Sequence, residues 1–238
     1  MRDENKATRR AQIAQAAYAL LEEKGYAGTS MLGIARRSRA SNETLYNWYG
    51  DKTGLFQELV RNNAAEVRAL LEQHLSGTKT DPLKTLRDIG PVLLDVLLGP
   101  RAVALNRAAA ADATGALGAV ISAQGRETIS PLIGQVLLDA REKGQLSFTS
   151  VSNTLELYLN LLVGDLQIRR VIGQVAQPTS EEQLHRAELA LARLQVLLRP
   201  SCRHVGLSSR LHAGSRKMRG TLNSTFSSAV TTVSTVVS

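Results

Sequence analysis

Apolar residues recur at steps of three and four along most of this chain, and this spacing limits its fold more than any other feature. It predicts amphipathic helices over residues 6–24, 31–38, 52–75, 82–98, 101–113, 116–143, 155–172 and 181–198, with a further short helix from Ser41 or Asn42 through Trp48. Gly25 and Gly144 should end two of these helices, and Gly125 and Pro131 should bend or divide the helix over 116–143. No strand-like alternation occurs before residue 200, so the predicted class is all-α with about nine helices.

The composition changes after Pro200. Of the 39 residues from 200 to 238, 14 are Ser or Thr and none is acidic, and the apolar repeat stops. We therefore expect residues 200–238 to be a disordered, basic, Ser/Thr-rich tail.

The net charge of +8 favours a nucleic-acid partner only if the charge lies in a folded part of the chain. Lys and Arg exceed Asp and Glu by two in residues 1–60, by one in residues 61–199 and by five in residues 200–238. Most of the excess thus lies in the tail. A prediction of DNA binding must depend on where the first 60 residues place their cations.

Several functional classes are disfavoured. The single cysteine, Cys202, cannot form an internal disulfide, the N-terminus lacks the apolar core of a secretory signal, and no apolar run is long enough for a membrane helix. The four histidines have no metal-ligand spacing, and there is no phosphate-binding loop or nucleophile elbow. We expect a cytoplasmic protein that is not an enzyme, does not contact membranes and has no cofactor or metal.

Residues 25–56 carry a more specific pattern, GYAGTSMLGIARRSRASNETLYNWYGDKTGLF. Gly-aromatic-x-x-Thr-Ser precedes the second helix, Ile-Ala lies within it, Ser-x-x-Thr-Leu-Tyr lies on the third, and Tyr-x-Asp-Lys-x-x-Leu-Phe leads into the fourth. The segment resembles the N-terminal DNA-binding module of TetR/AcrR-type transcriptional regulators. The resemblance implies a three-helix helix-turn-helix domain over residues 1–51, joined by a long fourth helix to a C-terminal helical bundle.

A helix-turn-helix lays its second helix in the major groove while neighbouring helix N-termini contact phosphates. The first turn of the short helix would expose polar side chains to base edges, and the phenol and ammonium groups after it would reach phosphates. Thr29 would offer its hydroxyl and backbone N–H groups to the neighbouring strand. The predicted DNA-binding residues are Thr29, Arg39, Asn42, Glu43, Thr44, Tyr46, Tyr49 and Lys52.

These residues also have purely structural interpretations. Tyr46 and Trp48 would serve as core aromatics of a small helical unit, Lys52 as a solvated first-turn residue, and Thr29 as a helix cap alone. The DNA-binding interpretation is favoured because three phosphate-capable side chains fall within seven residues of one short helix.

Two residues depart from the pattern of the resembled family. Its turn between the second and third helices often carries Gly, but here Arg39 stands there, at a cost of about 1 kcal/mol that a phosphate contact would partly offset. Gly33 should loosen the short second helix by about 0.5 to 1 kcal/mol relative to Ala. Arg36, Arg37 and Arg39 together make this corner basic.

Residues 52–199 are expected to form a ligand-sensing and dimerisation domain. Each of its last two helices carries a stripe of apolar residues. The stripe on the final helix consists of Leu184, Ala187, Leu191, Leu194 and Leu198. Packing within the chain accounts for part of this pattern. The resemblance implies that helices near 155–172 and 181–198 also pair with their copies in a homodimer, which would place two recognition helices on a palindromic site.

The segments GPRAVALNR and LLDAREKGQL resemble the C-terminal half of AefR-like regulators, which implies a cavity for a small-molecule effector. Only Phe148 and Tyr158 are aromatic between residues 61 and 199, so an aliphatic or small effector is favoured. Four polar residues in apolar stretches are explained equally well by solvated helix faces: Asn106, Arg107, Gln124 and Asp165. No ligand-binding residue is therefore assigned.

The resemblance implies a ligand-responsive homodimeric repressor that binds double-stranded DNA at a palindromic operator. The alternative is a helical ligand-binding or adaptor protein that has this fold without specific DNA binding. Thr44, Tyr46 and Lys52 favour the first of these interpretations.

Overall fold

A computed structural model describes residues 2–77 and 81–200. Within these ranges the chain forms twelve α-helices and no strand, which confirms the all-α class. The helices are α1 (Arg2–Gly28), α2 (Met31–Ser38), α3 (Asn42–Tyr49), α4 (Lys52–Asn63), α5 (Ala65–Ser76), α6 (Pro82–Leu98), α7 (Pro100–Ala110), α8 (Ala116–Ile121), α9 (Glu127–Glu142), α10 (Val151–Leu162), α11 (Leu166–Val171) and α12 (Ser180–Leu197), and a π-helical turn (Ser122–Arg126) joins α8 to α9. The tail predicted after Pro200 lies outside the described residues.

The N-terminal helices follow the prediction closely. Helices α2 and α3 have the predicted bounds to within a residue, and α1 is interrupted at Gly25, whose φ of 65° only glycine adopts easily. Ser41 caps α3 and Asp51 caps α4, each accepting a backbone N–H three residues on.

The single helix predicted over 52–75 is in fact two helices. Ala64, with φ −93° and ψ −2°, ends α4 before α5 begins. The apolar stripe continues across the break, but α4 packs in the core of the N-terminal helices whereas α5 packs against α6 and α9. The helix changes partners at this point, and spacing alone does not reveal such a change.

Two further predicted helices are also divided, which raises the number from about nine to twelve. The helix over 116–143 is divided at the π-helical turn that contains Gly125, whereas Pro131 lies inside α9. The helix over 155–172 breaks at Gly164, whose φ is 55°, into α10 and α11.

Two clusters of buried side chains hold the helices together. One joins α1 to α4 with α7 and α8 and includes Ile13, Leu45 and Phe56. The other joins α5, α6, α9, α10 and α12. Helices α6 and α12 approach closely at Gly90, where an added Cβ would lie 2.7 Å from the Ala187 Cβ. Among the described helices none is both long and apolar enough to cross a membrane.

Candidate nucleic-acid interface

The turn between α2 and α3 is built around Arg39. Ser30 begins α2, its hydroxyl accepting the Gly33 N–H at 3.1 Å. Arg39 ends it in the left-handed conformation, with φ 54° and ψ 32°, and the Ala40 N–H donates back to the Ala35 carbonyl at 3.0 Å. This is the hydrogen-bond pattern of a Schellman motif, which normally takes glycine at the left-handed position. The left-handed backbone expected at Arg39 is thus confirmed.

The first turn of α3 presents polar side chains away from the core. Leu45 is fully buried and anchors the helix, whereas Asn42 and Glu43 are exposed and Thr44 is half-buried. The Ser41 hydroxyl accepts the Thr44 N–H at 2.9 Å and lies 2.7 Å from the Thr44 hydroxyl. The three side chains expected to read bases therefore share one capped and rigid turn, and their contacts to DNA stay a prediction.

The aromatic residues of α3 divide into two kinds. Tyr46 is 48% exposed, so it is not a core aromatic. Trp48 and Tyr49 are half-buried against the N-terminal core and pack edge-on with their ring centroids 6.4 Å apart. Burial raises the pKa of the Tyr49 hydroxyl above its usual value. The structural alternative thus describes Trp48, while the Tyr46 side chain faces solvent.

Lys52 does not extend freely into solvent. Its Nζ donates hydrogen bonds to the carbonyl oxygens of Tyr26 at 2.9 Å and Thr29 at 3.0 Å, and it lies 3.9 Å from the Tyr26 ring centroid. Burial lowers the pKa of this ammonium. Lys52 therefore holds the loop between α1 and α2, and one of its three N–H groups remains for another acceptor.

Thr29 differs from the expectation that it offers a free hydroxyl and amide. It is 4% exposed, its hydroxyl donates to the Gly25 carbonyl at 2.7 Å, and its N–H donates to the Tyr26 carbonyl at 3.1 Å. Both donors are used because Gly25 ends the regular part of α1 and leaves carbonyls there to be satisfied. Thr29 itself therefore has no free donor for a phosphate.

The basic corner is only partly free. Arg37 pairs with Glu23 at 2.7 Å, and Arg9 donates to the carbonyls of Ser38 and Arg39 at 3.3 Å. Arg36 and Arg39 are exposed, and no described residue pairs with either side chain. Of the three arginines noted in the sequence, these two can reach an external anion.

Two further cations beside α3 were not among the predicted DNA-binding residues. Lys6 Nζ and the Arg10 guanidinium lie 5.9 Å and 5.7 Å from the centre of the Trp48 ring. Both are exposed, and they stand four residues apart on one face of α1. The spacing of four residues indicates that both cations share one face of α1. That this face lies beside α3 is seen only in the structure.

Most of the apolar stripe predicted for dimerisation faces inward, at Ala187, Leu191 and Leu194. Leu191 and Leu194 are 2% and 0% exposed and pack in the same core as α6, because α12 crosses α6 at Gly90. Leu184 of the predicted stripe is exposed, and so are three large apolar residues of α12 outside that stripe: Leu189, Val196 and Leu197. On α11, Ile168 and Ile172 are also exposed.

A cavity of about 600 Å³ lies among α4 to α11. Its walls are aliphatic, with Val60, Leu93, Leu97, Ile129 and Leu159 among them, and none of the described residues that line it is aromatic. Of the four polar residues noted in the sequence, Asn106 lines this cavity whereas Arg107, Gln124 and Asp165 do not.

Family models match two parts of the chain. Residues 13–59 match bacterial regulatory proteins of the tetR family, and residues 84–194 match the C-terminal domain of AefR-like transcriptional repressors. Both matches agree with the resemblances seen in the sequence.

Individual proteins are similar over different lengths. The HTH-type transcriptional regulator BetI of Burkholderia ambifaria is 31% identical over 81 residues, which span 34% of this chain and 42% of the length of that relative. A TetR transcriptional regulator from Agrobacterium tumefaciens is 26% identical with a TM-score of 0.63, covering 81% of this chain and 95% of that one. The fold also matches Bacillus subtilis FadR in complex with stearoyl-CoA, at 14% identity and a TM-score of 0.62, over 77% of this chain and 96% of that one.

Proposed function

The chain belongs to the tetR family of bacterial regulatory proteins, and from this premise we propose that it is a ligand-responsive homodimeric repressor of a palindromic operator. It is a transcriptional regulator with a helix-turn-helix DNA-binding domain, and the family consists of regulators rather than enzymes. In this proposal residues 1–51 bind DNA, residues 52–199 sense a ligand and dimerise, and the basic tail from residue 200 adds affinity that does not depend on sequence.

The capped first turn of α3 carries the proposal. Buried Leu45 fixes the helix, and Asn42, Glu43 and Thr44 on its outer side have the short polar groups that read base edges in the major groove. Exposed Tyr46 follows one turn later at the edge of the same surface. Asn42, Glu43 and Tyr46 are exposed on this face, so a partner can reach them.

Phosphate contacts are assigned to the groups around that face. Arg39 is exposed at the turn before α3. Tyr46 and Tyr49 bring phenolic hydroxyls to the C-terminal half of α3. Lys52 contributes the one N–H that does not donate to a carbonyl, and it holds the loop that precedes the N-terminus of α2. Thr29 acts by shaping this loop, because both of its donors are already used. The amides at the start of α2 then face the phosphate.

Dimerisation is assigned to the helices near 155–172 and 181–198. The exposed apolar side chains of α12 are spread along its length, with Leu189 and Val196 seven residues apart on one side. Such a stripe on a surface helix fits a partner helix at a shallow angle. A two-fold pairing would present two copies of α3 to the two halves of a palindrome.

Ligand response is assigned to the aliphatic cavity. Helix α4 lines it at Val60 and Asn63, and at its other end Lys52 is bonded to the loop that precedes α2. One rigid helix therefore touches both the cavity and the DNA-binding module. If α4 can adopt two positions and a ligand binds more tightly to the protein in one of them, the ligand increases the fraction of protein in that position. This changes the fraction of protein whose DNA-binding module fits DNA.

The proposal is tested by selecting the fragments of genomic DNA that the protein binds. Gel shifts with the selected fragments and sedimentation of the free protein follow. The expected result is a dimer that retains fragments with a shared inverted repeat. A protein that binds all fragments equally would instead be the ligand-binding or adaptor protein without specific recognition.

A further inference from the structure

Tyr18 of α1 contacts two helices outside the N-terminal three. Its hydroxyl donates to the Leu59 carbonyl of α4 at 2.9 Å, and the Arg101 guanidinium of α7 lies 5.6 Å from the centre of its ring. Burial raises the pKa of the Tyr18 hydroxyl above its usual value, although the charge of Arg101 lowers it. The hydroxyl therefore keeps its proton near neutral pH and donates to α4. Tyr18 thus links α1 to both α4 and α7.

Helix α1 is in turn fixed to α3. Arg9, on the same helix as Tyr18, donates to the carbonyls of Ser38 and Arg39 at 3.3 Å in the turn that precedes α3. Leu45 of α3 is buried in one cluster with apolar side chains of α1. Because α1 and α3 are held together in this way, the orientation of α1 sets the orientation of α3.

Tyr18 meets α4 and α7 beside the cavity. On α4, Leu59 is followed by Val60, which lines the cavity. On α7, Arg101 is followed by Ala102, which also lines it. Tyr18 therefore lies where the DNA-binding module joins the part of the chain that encloses the cavity.

We propose that Tyr18 is a positioning residue for DNA binding, whose hydroxyl and ring fix the angle between the DNA-binding module and helices α4 and α7. In a two-fold dimer this angle also sets the spacing and orientation of the two copies of α3. Two binding groups that are held in the correct geometry engage two sites at once, whereas groups at variable angles must first be ordered. The inference rests on the proposed homodimer and palindromic operator, and it assigns the alignment of the two modules to a residue that acts through α1.

Two tyrosine-to-phenylalanine variants isolate this role. Tyr18→Phe keeps the ring beside Arg101 and removes only the hydrogen bond to Leu59. Tyr158→Phe is the matched control, because the Tyr158 hydroxyl donates to the Leu86 carbonyl at 3.0 Å within the other buried cluster. Tyr158 is 1% exposed whereas Tyr18 is half-buried, so the control should lose at least as much stability. An effect of lost stability alone would therefore appear in both variants.

Fluorescence anisotropy with two duplexes separates alignment from contact. One duplex carries a selected operator with two half-sites, and the other carries a single half-site. Tyr18→Phe should bind the two half-sites about two- to ten-fold more weakly than the unmodified protein does, because loss of the hydrogen bond leaves the module less ordered. Its affinity for the single half-site should be unchanged, since the surface of α3 is unaltered. Tyr158→Phe should change neither affinity.

The spacing of the half-sites gives a readout that a purely structural role would not change. One base pair inserted between the half-sites rotates one relative to the other by about 35°. The unmodified protein and Tyr158→Phe should both lose affinity on this insertion, and Tyr18→Phe should lose less, because modules at variable angles tolerate the rotation better. Arg101→Ala, which removes an exposed side chain from the Tyr18 ring, should also reduce the loss. It provides the test if Tyr18→Phe loses helix content.

The outcomes separate this inference from the proposed function. The inference alone fails if Tyr18→Phe leaves the operator affinity unchanged, weakens binding to both duplexes by the same factor, or keeps the full loss of affinity on insertion of the base pair. Tyr18 would then only pack the core. If the unmodified protein binds two half-sites no more tightly than one, the proposed homodimer on a palindrome fails, and the inference fails with it.

Discussion

Arg39 adopts a left-handed backbone, with φ 54° and ψ 32°, that costs an ordinary residue about 1 to 2 kcal/mol. Glycine avoids this cost but loses about 0.5 to 1 kcal/mol of backbone entropy on folding. Arg39→Gly should therefore raise the free energy of unfolding by about 0.5 to 1 kcal/mol, which raises the melting temperature by about 1 to 4 °C in a chain of this size.

The same substitution should weaken DNA binding, because it removes an exposed cation placed at the turn before α3. Loss of one phosphate contact per half-site reduces the slope of log affinity against log salt by about one unit per half-site. Arg39→Ala is the matched control, because it removes the same charge but keeps the strained backbone. The assays are thermal unfolding by circular dichroism and fluorescence anisotropy with operator DNA at several salt concentrations.

The two variants should thus lose the same DNA contact and differ in stability. If Arg39→Gly melts no higher than Arg39→Ala, the backbone at this turn stores no strain and the energetic reasoning is wrong. If both variants keep the salt slope of the unmodified protein, the Arg39 side chain does not reach a phosphate.

Four further variants test other contacts. Tyr46→Phe should leave the melting temperature unchanged, because the side chain is exposed, and should weaken DNA binding by about 0.5 to 1.5 kcal/mol in anisotropy titrations. Lys52→Ala should lower the free energy of unfolding in urea by about 1 to 3 kcal/mol, because two carbonyls lose a charged donor, and should weaken binding to operator and random DNA alike. Replacing both Leu189 and Val196 with Glu should give a folded monomer in sedimentation, whereas Leu194→Glu should lose helix content because it buries a charge in the core. If the variant with Glu at both Leu189 and Val196 is still a folded dimer, the interface lies elsewhere.

The sequence predicted the DNA-binding module well because its signals are local. The caps at Ser41 and Asp51 and the break at Gly25 depend on hydrogen bonds or dihedral angles within a few residues. The left-handed turn at Arg39 was expected from the resemblance, because the family often carries Gly at this position. Such features are set by neighbouring residues, so they can be identified without knowing the tertiary structure.

Features that depend on distant partners were not predictable in the same way. The stripe of Leu191 and Leu194 fits a partner subunit as well as it fits α6, and only the crossing at Gly90 decides between them. Lys52 has the charge expected of a phosphate contact, but its Nζ meets carbonyls more than twenty residues away in sequence. The breaks at Ala64 and Gly164 likewise arise where a helix changes its packing partners.

Methylation protection of a selected operator fragment tests most directly whether α3 reads DNA in the major groove. Dimethyl sulfate modifies guanine N7, which lies in that groove, and adenine N3, which lies in the minor groove. We predict that the dimer protects guanine N7 in two symmetric half-sites separated by one helical turn, about 10 base pairs, or a multiple of it. Full methylation of every guanine N7 under a bound dimer would contradict the account, because no helix would then occupy the major groove.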